Sequence, residues 1–234
     1  MATGGGGTSG GCVPGSVLFA LRVFFCTGVQ RQPVPPPGSS LNGNYSLTTT
    51  QRLQMNGTKL AGGPTQDEVM AISLFKLGLC STDTVLEIGC GTGKVSVAMA
   101  KRVNHVYSLD KRPEAVSCAR ETARNAGVHT IEFFCTDAVD FLKSDQVFDC
   151  AFLGGTQQLA EILPFLAKKV KRTIVINAVM VSTLECAVTT LKRLGIFSEV
   201  VQVQVSRSND IAGSIFFTPI NPVYIIVARG AACS

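Results

Sequence analysis

The feature that most constrains the fold is the segment Thr84 to Gly93, T-V-L-E-I-G-C-G-T-G. It opens with β-branched and apolar residues around a single acid, which predicts a buried strand. The glycines that follow let the backbone turn tightly and approach a ligand without Cβ clashes. In open α/β sheets, ligands bind at the carboxyl ends of such strands, beside the N–H groups of the next helix. The segment therefore predicts a small-molecule site.

The spacing of these glycines indicates the kind of ligand. A dinucleotide-binding fingerprint has glycine at its first, third and sixth positions, but counting from Gly89 the sixth position holds Lys94. An acid two residues before Gly-x-Gly-x-Gly resembles instead motif I of the class I S-adenosylmethionine-dependent methyltransferases. Asp110 ends the next predicted strand, where its carboxylate can accept two hydrogen bonds from ribose hydroxyls. The alternative interpretation is a glycine turn and an unrelated surface aspartate.

Charge divides the chain into two parts. Residues 1–66 contain no Asp or Glu and are rich in Gly, Pro, Ser and Thr. Four of the 21 basic residues lie there, which leaves 17 to face all 16 acidic residues in 67–234. We therefore expect residues 1–59 to be a poorly ordered, acid-free extension and residues 60–230 to form one methyltransferase-type domain. A nearly neutral domain disfavours a nucleic-acid partner.

The apolar segment 16–29 bears on where the protein acts. It contains Arg22 and is too short to span a bilayer comfortably, and no basic region precedes it as in a secretory signal. The acid-free composition fits an organellar transit peptide, a poorly ordered extension or a misassigned start codon. We expect no membrane span and a cytoplasmic protein, with an organellar location as the alternative if residues 1–59 act as a transit peptide.

The cysteines give no sign of a metal site. The nine cysteines form no C-x-x-C pair, and only two histidines accompany them, so we expect no metal. We interpret the cysteines as reduced thiols in a reducing compartment. Cys90 lies inside the glycine turn, where a nucleophile can be imagined, but the position needs only a small side chain. We therefore expect a spacer that borders the ligand.

Strand and helix patterns alternate along the domain. Thr65 followed by Glu68 predicts a capping box for the first helix, and Pro113 predicts the start of another. The last two predicted strands, 199–206 and 221–228, have no helix between them. The pattern predicts an α/β fold with a mostly parallel sheet, one antiparallel strand and helices on both faces.

Small or polar residues follow several predicted strands. Asp137 is either a neighbour of an adenine, together with Ala138, or the N-cap of a short helix. Gly154 and Gly155 allow close passage of a substrate or simply form a tight turn. The strand ends are therefore where we expect the binding residues.

These segments together resemble one family, the decarboxylating precorrin-6B carbon-15 methyltransferases of cobalamin biosynthesis. The resemblance covers about residues 60–229 and rests on G-G-P-T-Q-D-E-V, E-I-G-C-G-T-G, V-Y-S-L-D-K-R-P-E-A, D-A, F-L-G-G-T, N-A-V, V-S-R and N-P-V-Y-I-I. Motif I alone indicates only the superfamily, whereas the opening G-P-T and the closing S-R with N-P-V-Y narrow it. The resemblance implies a Rossmann-like class I fold with a seven-stranded sheet, and a homotetramer.

The resemblance also implies which residues form the site. The residues expected to contact S-adenosylmethionine are Thr65, Gly89, Cys90, Gly91, Thr92, Gly93, Asp110, Asp137 and Ala138. The candidates for binding a carboxylate-rich tetrapyrrole are Gly154, Gly155, Thr156, Asn177 and Arg207. Asn177 and Arg207 would bind carboxylates by hydrogen bonding or charge, or are ordinary polar residues at strand ends. The family's substrate loop often reads G-G-S-G-G, but here Gln157 and Gln158 follow Thr156, so we expect a different pocket shape.

The implied reaction is methylation of carbon 15 of precorrin-6B, with or without cobalt, and loss of carbon dioxide from an acetate arm. An electron-rich acceptor carbon needs no strong general base, so the enzyme mainly aligns donor and acceptor about 3 Å apart. Two alternatives stay open. One is a tRNA or other small-molecule class I methyltransferase, and the other is a non-catalytic S-adenosylmethionine-binding protein.

Overall fold

The computed structural model describes residues 63–230, so the expectations about residues 1–59 lie outside the described residues. The helices of this part are α1 Asp67–Leu77, α2 Lys94–Ala100, α3 Pro113–Asn125, α4 Ala138–Phe141, α5 Leu159–Lys169 and α6 Val181–Arg193. The strands are β1 Thr84–Ile88, β2 His105–Asp110, β3 Ile131–Cys135, β4 Phe148–Leu153, β5 Val170–Ala178, β6 Phe197–Val203, β7 Ser206–Ile211, β8 Ser214–Pro219 and β9 Val223–Arg229. Within 63–230, no helix combines the length and apolarity that crossing a bilayer requires.

Seven of these strands form one sheet in the order β3-β2-β1-β4-β5-β9-β6. Strand β9 runs antiparallel to both of its neighbours, β5 and β6, and the pairs from β3 to β5 are parallel. The predicted α/β fold with one antiparallel strand in a seven-stranded sheet is confirmed. Strands β1 and β4 are adjacent at the centre of the sheet. After β1 the next strands are added on one side of it, and after β4 they are added on the other side. The carboxyl ends of β1 and β4 therefore form the switch point at which such sheets bind ligands.

The central strands are buried on both faces. One apolar cluster joins α1 and α2 to Val85 and Phe152, and another joins α5 and α6 to Leu86 and Leu153. Successive residues of a strand point to opposite faces of the sheet, so Val85 and Leu86, although adjacent in the sequence, pack in different clusters. This explains why the strand segments are nearly continuous apolar runs and do not alternate with polar residues.

The start of α1 differs from the prediction. The capping box at Thr65 is wrong, because the N-cap residue is Gln66 and its side chain makes no capping hydrogen bond. The carbonyl oxygen of Gln66 accepts a hydrogen bond from the amide of Met70 at 2.8 Å, so helical bonding begins one residue later than the box requires. Asp67 and Glu68 lie in the first turn, where the helix dipole favours negative charge.

A hairpin follows β6 that the sequence pattern did not predict. The strand expected over 199–206 ends at Val203, and β7 and β8 pair with each other in a separate two-stranded sheet. Ala212 and Gly213 form its turn with φ of 52° and 80°, as in the tight turns that suit hairpins. Every residue of β7 and β8 is exposed, so neither strand has the alternation of buried and exposed residues from which strands are predicted.

Candidate functional site at the carboxyl edge of the sheet

The glycine turn after β1 is held by close backbone contacts. The amide of Gly89 donates to the carbonyl oxygen of Leu109 at 2.8 Å, which joins the turn to β2. Gly89 has φ of 88°, and a Cβ on it would lie 2.3 Å from the amide nitrogen of Gly155. Gly93 has φ of 78°, and its Cβ would lie 2.7 Å from the Cα of Ala119 in α3. The first and last glycines of the motif are therefore required by packing.

Gly91 differs from the other two glycines. Its φ is 52°, but a Cβ there would meet no atom within 4 Å. Its amide donates to Oδ2 of Asp110 at 3.1 Å, and the residue lines a cavity. The middle glycine is therefore not required by packing and leaves open space beside the cavity.

Two cavities meet at this turn and share Gly89 and Arg112 in their walls. The larger cavity, of about 370 Å³, lies among the ends of β1 and β2, the start of α4 and residues 155–158. The smaller cavity, of about 120 Å³, lies between residues 63–65 and the glycine turn. The larger volume is within the range of small-molecule pockets, and both cavities lie at the switch point of the sheet.

Asp110 lies at the end of β2 with its side chain only 4% exposed. Its carboxylate accepts hydrogen bonds from Nε and Nη2 of Arg112, both at 2.9 Å, and from the amides of Arg112 and Gly91, both at 3.1 Å. Burial acts to raise the pKa of Asp110, but these hydrogen bonds outweigh it and lower the pKa below its ordinary value. The carboxylate is therefore ionised in the cavity wall.

Asp137 and Ala138 form another part of the larger cavity's wall. Oδ1 of Asp137 accepts a hydrogen bond from the amide of Val139 at 2.8 Å, so the predicted N-cap is confirmed. The contact with an adenine remains a prediction. It is compatible with the cap, because the same residue both begins α4 and lines the cavity.

Residues 63–65 are fastened over the glycine turn by Lys94. The Nζ of Lys94 donates to the carbonyl oxygen of Thr65 at 3.1 Å and pairs with Asp67 at 2.7 Å. Thr65, Cys90 and Thr92 all line the smaller cavity. Burial raises the pKa of the Cys90 thiol, so it stays protonated, which agrees with its interpretation as a spacer.

Glu87, the acid of motif I, is a cavity residue that the sequence analysis did not assign to the site. It is 1% exposed and lines the smaller cavity. Its Oε2 accepts hydrogen bonds from Oγ of Ser108 at 2.6 Å and from Oγ of Ser96. Burial raises the pKa of Glu87 to about 7, and the serine hydrogen bonds offset only part of this effect. Its place two residues before the glycines was the available sequence signal.

The proposed substrate residues lie in three different places. Gly155 and Thr156 line the larger cavity, and Gly154 lines the smaller one. Asn177 lines neither cavity among those described, and its Oδ1 lies 3.0 Å from Oγ of Ser73 in α1. The Nδ2 of Asn177 is buried and has no hydrogen-bond partner among residues 63–230.

Arg207 lies in β7 and pairs with Glu68 at the start of α1. Its Nε and Nη2 lie 3.2 Å and 2.7 Å from the two carboxylate oxygens of Glu68. Glu68 is preceded in the chain by Asp67, which pairs with Lys94 in the wall of the smaller cavity. The ion pair joins the hairpin to the first turn of α1.

Comparisons with known proteins agree on one group of relatives. The sequence model of the family described as "Precorrin methyltransferase domain" matches residues 59–229, which include every residue lining the two cavities. A protein of Methanosarcina mazei named "Probable cobalt-precorrin-6B C(15)-methyltransferase (decarboxylating)" is 41% identical over 175 residues. That similarity covers 73% of this chain and 95% of the relative.

Two solved structures resemble the fold closely. One from Methanobacterium thermoautotrophicum, described as precorrin 8W decarboxylase, has a TM-score of 0.69 and 28% identity, and covers 71% of this chain and 91% of its own. The other, a precorrin-6Y C5,15-methyltransferase from Geobacter metallireducens, also has a TM-score of 0.69 and 28% identity. It covers 74% of this chain and 94% of its own.

Proposed function

This chain belongs to the precorrin methyltransferase family, and from that premise we propose that it methylates carbon 15 of precorrin-6B, with or without cobalt, and removes carbon dioxide from the same substrate. The reaction is a step of cobalamin biosynthesis. The observation that carries the proposal is the ligand site at the switch point, where motif I, an ionised Asp110 and two adjoining cavities come together inside the family match.

We propose S-adenosylmethionine as the methyl donor, because the residues present fit it. Gly91 lines the smaller cavity and a Cβ on it would meet no protein atom, so the turn leaves room for a ligand against its backbone. Asp110 would hold the ribose, Asp137 and Ala138 would border the adenine, and the glycine turn with Thr65 would surround the methionine part. When bound, the cofactor supplies an electrophilic methyl group.

The chain's own residues have to align the reactants and exclude water. In the substrate, the bond between the acetate arm and its carboxylate breaks, carbon dioxide leaves, and the electron pair enters the conjugated macrocycle. Carbon 15 can then form its new bond without a strong general base. Thr156, Asn177 and Arg207 are the proposed carboxylate-binding residues, although Arg207 would have to exchange Glu68 for the substrate.

We also propose a homo-oligomer, a tetramer if it follows the family resemblance. The support is the hairpin, on which Ile215 and Phe217 lie on the same face of β8 and are 73% and 67% exposed. Such a group of apolar side chains on the surface is typical of an interface between proteins. Light scattering on the wild type and on Ile215→Ser with Phe217→Ser tests this, because a smaller assembly is expected for the double variant. An unchanged mass would contradict the role of the hairpin.

We propose a cytoplasmic site of action, or an organellar one if residues 1–59 act as a transit peptide. No nucleic-acid partner is proposed, because basic and acidic residues nearly balance in 67–234. A tRNA methyltransferase would need a basic face. Binding to tRNA that is lost steeply with added salt would revive that alternative.

The proposed activity is tested by incubating the protein with S-adenosylmethionine and purified precorrin-6B or its cobalt form and measuring the product mass. We expect one turnover to add a methyl group and remove carbon dioxide. Methyl gain without loss of carbon dioxide would contradict the decarboxylating reaction. Cofactor binding without any product from either substrate would favour the non-catalytic alternative.

A further inference from the structure

Asp110 has no acceptor position left for a ribose. A carboxylate offers about four lone-pair positions on its two oxygens. In this structure Oδ1 accepts from the amide and Nε of Arg112, and Oδ2 accepts from Nη2 of Arg112 and the amide of Gly91. Two ribose hydroxyls can donate to Asp110 only if two of these donors leave. The backbone amides belong to the turn and to the start of α3, so the side chain of Arg112 is the donor that can leave.

Arg112 is also placed to act after it leaves. It lines both cavities, and its side chain is 33% exposed, so the guanidinium can move without disturbing the core. Its backbone is anchored at the N-cap of α3, which keeps the side chain beside the site.

We propose that Arg112 is an exchangeable partner of Asp110 and a substrate-binding residue: the cofactor's ribose displaces its guanidinium, which then binds a carboxylate of the tetrapyrrole. This rests on the function proposed above. The number of hydrogen bonds to Asp110 is unchanged, because two hydroxyls replace Nε and Nη2. The released guanidinium presents a planar fork that matches a carboxylate. Cofactor binding thus prepares the site for its anionic substrate.

The exchange can be tested without turnover by measuring the affinity for adenosine with calorimetry. Adenosine carries the ribose and the base but no charge, so it probes the displacement alone. Arg112→Met removes the donor groups and keeps an unbranched side chain, and it should bind adenosine about two- to fivefold more tightly than wild type, the range expected for a partly exposed ion pair. Arg124→Met, an exposed arginine of the same helix outside both cavities, is the matched control and should not change the affinity.

The salt dependence of adenosine affinity is a second test, because a purely structural role of Arg112 would not produce it. Potassium chloride should strengthen adenosine binding to the wild type, because it weakens the Arg112–Asp110 pair, and should leave Arg112→Met unaffected. Arg112→Lys keeps a positive charge but replaces the planar guanidinium by an ammonium group. Its affinity for adenosine should lie between those of the wild type and Arg112→Met. This variant keeps the test valid if Arg112→Met does not fold.

The substrate-binding half is read from steady-state kinetics at saturating cofactor. Loss of one hydrogen-bonded carboxylate contact should raise KM for the tetrapyrrole about ten- to hundredfold in Arg112→Met, with a smaller change in kcat. An unchanged KM would overturn this half, and an adenosine affinity equal to or weaker than that of wild type would overturn the exchange. If neither wild type nor Arg112→Met bound adenosine, and S-adenosylmethionine also failed to bind, the proposed cofactor site itself would be wrong.

Discussion

Gly89 and Gly155 approach each other so closely that a Cβ on Gly89 would lie 2.3 Å from the amide nitrogen of Gly155. The amide of Gly155 donates to the carbonyl oxygen of Ile88 at 2.8 Å, so the loop after β4 is hydrogen-bonded to the end of β1. Gly89 lines both cavities, and Gly155 lines the larger one. The glycines of motif I and those after β4 therefore form one backbone contact at the place where the cavities meet.

Gly89→Ala should destabilise the protein more than Gly91→Ala. Both residues have positive φ, which costs about 1 to 2 kcal/mol for a residue with a Cβ. Only Gly89 would add an overlap with the backbone of Gly155. Urea unfolding of the two variants measures the difference, and equal losses would contradict the packing role.

Gly91→Val should instead weaken cofactor binding, because Gly91 lines the smaller cavity and the added side chain would occupy open space there.

Asp110→Ala should weaken S-adenosylmethionine binding by about 1 to 3 kcal/mol, the range for a hydrogen bond to a charged group. The reason is that its carboxylate is ionised and lies in the wall of the larger cavity. Calorimetry measures the change. Asp140→Ala is a suitable control, because Asp140 forms an exposed pair with Lys143 outside both cavities. Equal affinities of Asp110→Ala and wild type would rule out the ribose contact.

Glu87 should make stability fall as pH rises from about 4.5 to about 7. Burial raises its pKa to about 7 in the folded state, from an ordinary value of 4.5. The folded protein therefore binds more protons than the unfolded chain in this window, and the free energy of unfolding decreases with rising pH. Relative to Glu87→Gln, the free energy of unfolding of the wild type should fall by about 3 kcal/mol across this pH window, because each unit of pKa shift corresponds to about 1.4 kcal/mol.

Denaturant unfolding at several pH values checks this prediction. The comparison with Glu87→Gln cancels the contributions of carboxylates whose pKa is lowered, such as Asp110 and Asp149, which act with the opposite sign. A constant difference between the two proteins across the window would mean that Glu87 is already ionised near its ordinary pKa in the fold.

Arg207→Ala should impair turnover with precorrin-6B while cofactor affinity stays near that of wild type. The pair with Glu68 allows two explanations of such a loss, and Glu68→Gln separates them. If Arg207 binds a substrate carboxylate, Glu68→Gln releases it and activity is kept or increased. If Arg207 only anchors the hairpin to α1, Glu68→Gln lowers activity as Arg207→Ala does. Product mass and initial rates provide the measurement.

Deleting residues 1–55 should leave folding and cofactor binding intact. The segment has no acidic residues and no sustained periodicity, and the family match begins only at residue 59. Thermal unfolding and calorimetry of the shortened protein test this. Aggregation or a much lower melting temperature would show that the segment contributes to the core.

Local sequence patterns were sufficient at two helix starts, although not at Thr65, where the predicted capping box is wrong. Pro113 begins α3 and Asp137 caps α4 as predicted, because both effects act within one helical turn. Arg172 shows the opposite case. It pairs at 2.8 Å with the buried Asp83, which comes from a distant part of the chain. No local pattern reports such a contact.

The sequence by itself determined the fold class and the place of the site, because strand periodicity, glycine spacing and a strand-end acid are local properties of the chain. Only the tertiary structure decided what each residue does there. It showed that Gly89 is required by the backbone of Gly155, that Glu87 is buried enough to shift its pKa, and that the guanidinium of Arg112 fills two acceptor positions of Asp110. These properties depend on which strands become neighbours and how much solvent they exclude, and both are set by contacts between distant segments.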